Sequence, residues 1–437
     1  MKHSINKYND VPVPTPLRRL AYPWPKITVG MLLVLLIAAV STGIGSVALP
    51  PLDTVKIIGA AIPFINPIET WPETWETIVW QVRFPRIVLA AIVGSALAMS
   101  GSVYQGLFRN PLADPYLIGV SSGASMGAVL VLVAGITSIK FLPIAAFIGG
   151  LAAVWIAYII ARRSEGVPLT TLILAGVSIS FLASAVTSFL MIRSDPDLRP
   201  VLTWLLGGFT SAQWKHILLL VPYLLPCAAI LLAHSRVLNV IQLGEEHARQ
   251  LGVDINRTKL LMITSASLAT AAAVAFSGAI GFVGLIAPHA VRMLWGYDYR
   301  VLIPMSMLMG ACFLMVADLV ARTVVSPTEL PVGIVTAFCG APFFLFLRFW
   351  SPFSIFSRQN ALFAPKIVLG PKSGFGAQKA PFWPFGHAPW LAGGQPGRSG
   401  SSGGQGAGMG DRGDGERRAW GRADHGRGRA PSPPPVP

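Results

Sequence analysis

Residues 83–124 read RFPRIVLAAIVGSALAMSGSVYQGLFRNPLADPYLIGVSSGA. Ile87–Phe108 within this stretch holds 22 residues without a charge, and a helix needs about 20 to cross a bilayer core. Gly94, Ser95, Ala96, Ala98, Ser100, Gly101 and Ser102 are all small. In lipid, small residues let helix backbones approach closely. Arg83 and Arg86 bracket Pro85. Proline is tolerated in a first turn, where its missing N–H costs little, so the spacing predicts a helix start there. Asn110-Pro111-Leu112-Ala113-Asp114-Pro115 then breaks the helix.

The same pattern extends in both directions. Ile27–Leu49, Tyr116–Ile139 and Val167–Ile192 are charge-free runs of 23, 24 and 26 residues. Segments 141–161, 216–233, 301–321 and 330–347 add four more apolar blocks. Leu260–Val291 has 32 residues without Lys, Arg, Asp or Glu. It is too long for one span and divides at Ser277-Gly278-Ala279-Ile280-Gly281 into two, the second short. Such an interrupted segment needs protein cover for its freed backbone groups, which places it inside the bundle. The sum is an all-α polytopic membrane protein of about ten spans over residues 27–349. Composition agrees: 53% of the 437 residues are hydrophobic and 12% charged, where a soluble domain carries about 25% charge. The first apolar run exceeds the roughly 7–15 residues of a signal-peptide core, so a retained span is expected after a cytoplasmic segment 1–26.

Lys and Arg set the orientation. With the N-terminus inside, the cytoplasmic segments up to Arg348 carry 15 and the outer segments eight, which predicts both termini in the cytoplasm. Residues 50–82, with Trp71, Trp75 and Trp80, suit the membrane interface, and Val201–Gly207 is too short to span and lies flat or dips into the outer face. Beyond Arg348 the composition turns to Gly, Pro, Arg and Ser, so 350–437 is expected to be a disordered cytoplasmic tail. Residues 354–437 carry 11 Lys+Arg against 4 Asp+Glu, nearly half of the net +15. The basic balance is therefore no argument for nucleic-acid binding. Cys227, Cys312 and Cys339 stand alone in apolar blocks and read as packing residues.

Residues 83–124 resemble the signature of the FecCD/BtuC-like permease family, importers of ferric siderophores, haem and cobalamin. Leu172-Ile173-Leu174-Ala175-Gly176, Trp204-Leu205-Leu206-Gly207-Gly208, LGEEHARQLG at Leu243–Gly252, SGAIGFVGLIAPH at Ser277–His289 and ELPVGIVTAFCGAP at Glu329–Pro342 resemble further family stretches in the same order. The likeness runs over about residues 27–348. It implies a permease subunit, not an enzyme, that works with a second permease (a copy or a related chain), two cytoplasmic ATPases and a periplasmic or lipid-anchored binding protein. ATP would be used by the partner, with no cofactor on this chain; the sequence has no GxxxxGK[ST] phosphate loop. Ferric siderophore is the leading cargo, with cobalamin or haem as alternatives.

The resemblance also assigns sites. Arg83, Arg86 and Arg322 match positions that pair with glutamates on a docked binding protein, a task suited to the guanidinium fork; the plainer alternative is lipid-headgroup anchoring. Leu243, Gly244, Glu245, Glu246, Ala248, Arg249, Leu251 and Gly252 form the expected ATPase-coupling helix. There Gly244, Ala248 and Gly252 would give a smooth face every four residues, and the charged side chains would stay in water or meet the ATPase. Asn110 and Leu112, with Leu169 and Thr170 in another short loop, fall near the expected cytoplasmic gate, or simply end helices. His289 has no carboxylate or cysteine cluster beside it and reads as structural, so no metal site is expected. Asp318 stands four residues before Arg322, a spacing that predicts a local salt bridge. An ion-coupled secondary transporter, the alternative of another class, would show more intramembrane carboxylates than this one. A free-metal importer would show His or Asp clusters along its path.

Overall fold

The computed structural model describes residues 24–45, 49–60, 71–136, 141–163, 166–193 and 199–350. Most of segment 1–26 and all but Trp350 of segment 350–437 lie outside the described residues. In chain order the helices are α1 Trp24–Gly43, α2 Pro51–Ala60, α3 Glu73–Thr77, α4 Phe84–Leu107, α5 Val120–Val133, α6 Phe141–Ala161, α7 Leu169–Arg193, α8 Arg199–Leu206, α9 Trp214–Ala233, α10 Ser235–Ile241, α11 Glu245–Gln250, α12 Ile255–Ser277, α13 Val283–Trp295, α14 Tyr299–Thr323 and α15 Val332–Trp350. Among the described residues the extended structure is one isolated bridge, Arg163 to Gly166. Seven helices are long and apolar enough to cross a membrane: α1, the α3–α4 rod, α6, α7, α9, α12 and α14. The other three apolar blocks form α5, α13 and α15.

One boundary differs from the sequence reading. Pro85 does not start a helix. The rod begins at Glu73 and runs 35 residues to Leu107, with a π-helical turn at Ile78–Arg83 directly before the proline. A proline inside a helix lacks a donor and presses its ring on the carbonyl four residues back. The wider π turn, closed by Phe84 N–H donating to Val79 O, gives the ring room. Trp71, Trp75 and Trp80 pack around Leu49, Ile57 and Val79, and Trp214 Nε1 donates to Trp80 O at 2.9 Å.

The core forms around α4, which is buried on nearly every face from Pro85 to Leu107. Its small residues explain why. A side chain at Gly94 would collide with the carbonyl of Gly310 on α14, and one at Gly101 with that of Gly284 on α13. At these crossings backbone meets backbone, the contact that small residues permit in lipid. Hydroxyls tie the same surfaces: Ser95 Oγ donates to Met307 O (3.1 Å), Ser100 Oγ to Ala266 O (3.0 Å), and the Tyr104 and Ser267 hydroxyls lie 2.5 Å apart.

The division of residues 260–291 falls where the sequence put it, between α12 and α13. The freed backbone groups are covered by protein, as membrane depth requires. Gly208 N–H donates to Ser277 O (2.8 Å) and the Tyr116 hydroxyl to Ile280 O (2.9 Å). The carbonyl of Trp204, on α8, sits where a side chain at Gly278 would be. The short α8 therefore dips against this break, and it also packs on α15.

Candidate functional site

Helices α4 and α14 run antiparallel, so each end of their pair gathers a different set of polar residues. At one end lie Arg83, Arg86, Asp318, Arg322 and Glu329. Arg86 Nε donates to both Asp318 oxygens (2.9 and 3.1 Å), and its Nη2 lies 2.8 Å from Asp318 Oδ1. Its Nη1 donates to both Glu329 oxygens, at 2.8 and 3.1 Å. One guanidinium thus holds two carboxylates, the planar fork geometry that lysine cannot reproduce. Arg322 donates to Ser41 O at 2.7 Å, and Arg83 to Thr42 O (2.7 Å) and Gly43 O (3.2 Å), so both grip the last turn of α1.

The three arginines converge, as their assignment to one face implied, but they are not surface residues: Arg83 is 4% exposed, Arg86 7% and Arg322 3%. A docking partner or a lipid headgroup therefore meets little of these side chains in this structure. Asp318, 1% exposed, draws in Arg86 from α4 and Arg322 from its own helix, while the end of α1 takes Arg83 through the Thr42 and Gly43 carbonyls. The expected local bridge between Asp318 and Arg322 is present at 3.5 Å, and Asp318 has a closer partner besides in Arg86, 232 residues away.

At the opposite end lie the helix termini around α10 and α11. The helix expected to couple to an ATPase is shorter than LGEEHARQLG suggested. Gly244 (φ 114°) and Gly252 (φ 82°) take backbone conformations that favour glycine and fall outside the six residues of α11. Ala248 is buried against Ile241 and Ile255. Of the Gly244–Ala248–Gly252 repeat only Ala248 faces inward, while Gly244 is half-buried and Gly252 exposed, so the three do not share the smooth face expected of them. Exposed instead are Leu243, Glu246, His247, Arg249, Gln250, Leu251 and Gly252. Glu245 is not left in water: Lys259 Nζ, on buried α12, lies 2.8 Å from its Oε1.

Three further contacts root this segment in the bundle. Gln242 Nε2 donates to Gly106 O at the end of α4, at 2.8 Å. Asn239 Nδ2 donates to Asp298 Oδ1 (2.7 Å), while Asn239 Oδ1 accepts from Tyr299 N–H (2.9 Å). Asp298 in turn caps α14 through Arg300 N–H (3.0 Å) and pairs with the Arg300 side chain. Burial works to raise the Asp298 carboxyl, but hydrogen bonds from Arg300 and Asn239 outweigh it and hold it below the usual carboxylate range. Deeper in, Gln105 donates to Gly284 O (3.1 Å) and accepts from Arg292.

Asn110 and Leu112 close a turn at this end, Asn110 Oδ1 accepting from Leu112 N–H at 2.9 Å; both are exposed. Leu169 and Thr170 open α7, and Thr170 is exposed. The 3₁₀ turn Pro115–Ile118 joins the two regions by packing on α7, with Gly176 against the backbone of Leu117 and Ile118. His289 lies edge-on to Phe343 and Phe344. Among the described residues no group of three His, Cys, Asp or Glu side chains is placed to hold a metal ion.

Sequence reading missed Glu329, Asn239, Gln242, Lys259 and Asp298. Glu329 stood inside a quoted motif, and its charge beside an apolar block was a usable signal. Asn239 and Gln242 carry no charge and no motif, and only the tertiary fold reveals them.

With this geometry in hand, comparison with known proteins is direct. The family model described as the FecCD transport family matches residues 31–350. The cobalamin import system permease protein BtuC of Halobacterium salinarum is 47% identical over 276 residues, covering 63% of this chain and 74% of that protein. The hemin transport system permease protein HmuU of Yersinia pestis is 40% identical over 287 residues, covering 63% and 86%. Among solved structures, an inward-facing conformation of a metal-chelate type ABC transporter superposes with a TM-score of 0.66 at 37% identity, covering 75% of this chain and all of that one.

Proposed function

The chain belongs to the FecCD transport family, and from that premise we propose that it is the membrane permease of a binding-protein-dependent importer that carries an intact metal chelate into the cell. The observation that carries the reading is the pairing of two polar ends on one apolar bundle. A clustered arginine end suits a docked binding protein, and a rooted but exposed helical segment at 235–252 suits a cytoplasmic ATPase. The excess of Lys and Arg on the segments at the α10–α11 end supports placing that end in the cytoplasm. Two ATPase subunits, a second permease and a periplasmic or lipid-anchored binding protein complete the assembly.

The burial of the arginines refines how docking works. Arg86 is shared between Asp318 and Glu329, so a carboxylate on the binding protein must compete with Glu329, the more exposed of the two. Docking would thereby loosen the grip of α4 on the entry to α15. For the cargo, the relatives include permeases for cobalamin, hemin, Fe(3+)-citrate and molybdate, so ferric siderophore, cobalamin and haem are to be tried side by side. Ion-coupled transport is disfavoured because Asp318 is engaged by Arg86 and approached by Arg322 in a salt-bridge network and is not open to a pathway.

Co-assembly tests the reading. Expressed with the ATPase subunit from the same genome, the unaltered chain should co-purify with it. Arg249→Glu combined with Glu246→Arg, both on exposed positions, should abolish co-purification while the chain stays folded. Equal recovery of ATPase with the variant would place the ATPase contact elsewhere.

A further inference from the structure

We infer that Asn239 is a positioning residue that clasps the coupling segment to α14, and that α14 carries movement of that segment to the Arg86–Asp318–Glu329 cluster. The inference rests on the proposed function and extends it. Helix α14 joins the two polar ends directly. Its first turn is held by Asn239 and Asp298, and its last turns carry Asp318 and Arg322. Its 25 residues span about 37 Å at about 1.5 Å per residue. Between the ends it is locked to α4 by the backbone contact of Gly310 with Gly94, so it cannot bend away from its neighbour without breaking close packing.

Asn239 fits the clasp role because it uses both ends of its amide. The nitrogen donates to the Asp298 carboxylate and the oxygen accepts the Tyr299 N–H, one of the N–H groups that a helix start leaves without an intrahelical partner. A shift of α10 must therefore either break two hydrogen bonds or take α14 along. The other roots lead elsewhere: Gln242 holds the end of α4, and Glu245 holds Lys259 on α12. Asn239 is the link, among the described contacts, from α10 to the helix that carries Asp318. Chains of packed and hydrogen-bonded groups can carry such coupling, and its proof is one element whose position responds to perturbation at both ends.

Two measurements test it. In the first, spin labels are placed by Glu246→Cys and Val324→Cys, in a Cys339→Ala background, on the chain alone in lipid nanodiscs. One narrow distance distribution is expected for the clasped protein. Asn239→Ala should broaden it at least twofold. Asn239→Asp together with Asp298→Asn exchanges amide and carboxylate between the partners and should restore the narrow distribution. An unchanged distribution in Asn239→Ala, or no rescue by the exchange, overturns the clasp whether or not the chain is a permease. In the second, ATP turnover of the full complex is read with and without binding protein, using cyanocobalamin and ferrichrome as probes. Asn239→Ala should keep basal turnover within twofold and lose at least fivefold of the stimulation by loaded binding protein. Equal losses of basal and stimulated turnover would mark Asn239 as merely structural. Absence of stimulation in the unaltered chain would count against the proposed function, while the spin-label result still decides the clasp.

Discussion

Arg86 concentrates the energetics of its end of the molecule on one side chain. Removing one member of a buried ion pair leaves the other charged and desolvated, at a cost of about 3–5 kcal/mol. Arg86→Ala leaves Asp318 with only the longer Arg322 contact and strands Glu329 in part, so its melting temperature in detergent should fall well below that of Asp318→Asn combined with Arg86→Met, which removes charge from both sides. Similar melting of the two variants would mean that the cluster contributes little. Asp298 gives a pH signature. Its carboxyl lies below the ordinary range when folded, so its stabilisation is present above about pH 4 and disappears as pH falls through the lowered folded value. The gap in melting temperature between the unaltered chain and Asp298→Asn should be constant from pH 5 to 8 and close below about pH 4. At this scale the sequence was only partly legible. It singled out Arg83, Arg86 and Arg322 through the resemblance, as docking positions, and Asp318 as an intramembrane carboxylate. It could not say that Arg86 points inward, because the carboxylates that hold it, Asp318 and Glu329, stand more than 200 residues along the chain.

Helices were more legible than their partners. Charge-free runs located the spans and the break at Ser277–Gly281, because lipid forces each crossing segment to be apolar and each break to be covered. Two readings failed for local reasons. The Pro85 helix start was wrong because a π turn absorbs the proline, a geometry with no sequence marker here. The coupling helix was overextended because Gly244 and Gly252 were counted as a helical face, when their positive φ sets them outside α11. The small-residue stripe of α4 is a firm expectation that the packing explains. Gly94→Leu forces a side chain onto the carbonyl of Gly310. Overpacking typically costs about 1–3 kcal/mol, and more where backbone must move. The variant should give sharply reduced yield of monodisperse protein, whereas Gly43→Leu, with open space beyond it, should purify normally. Equal yields would show that α4 and α14 are not packed this tightly in the membrane.

For the whole molecule, the family and the all-helical fold follow from motifs spread in order over most of the apolar region, and the match to residues 31–350 bears this out. The cargo is not legible in the same way, because a permease that passes an intact chelate needs a wide path and not a set of ligands. What the bundle does carry is a two-ended layout, with a buried arginine cluster opposite the rooted segment 235–252, on which the proposal of loading at one end and driving from the other rests. The most direct test is uptake into proteoliposomes holding this chain with its ATPase, with binding protein outside and ATP inside. Labelled cyanocobalamin, haem and ferrichrome would be offered in turn. Accumulation of one chelate that requires both ATP and binding protein, and that falls at least tenfold in the Glu246→Arg and Arg249→Glu double variant, is the predicted result. Accumulation driven by a proton or sodium gradient with no ATPase present would contradict it.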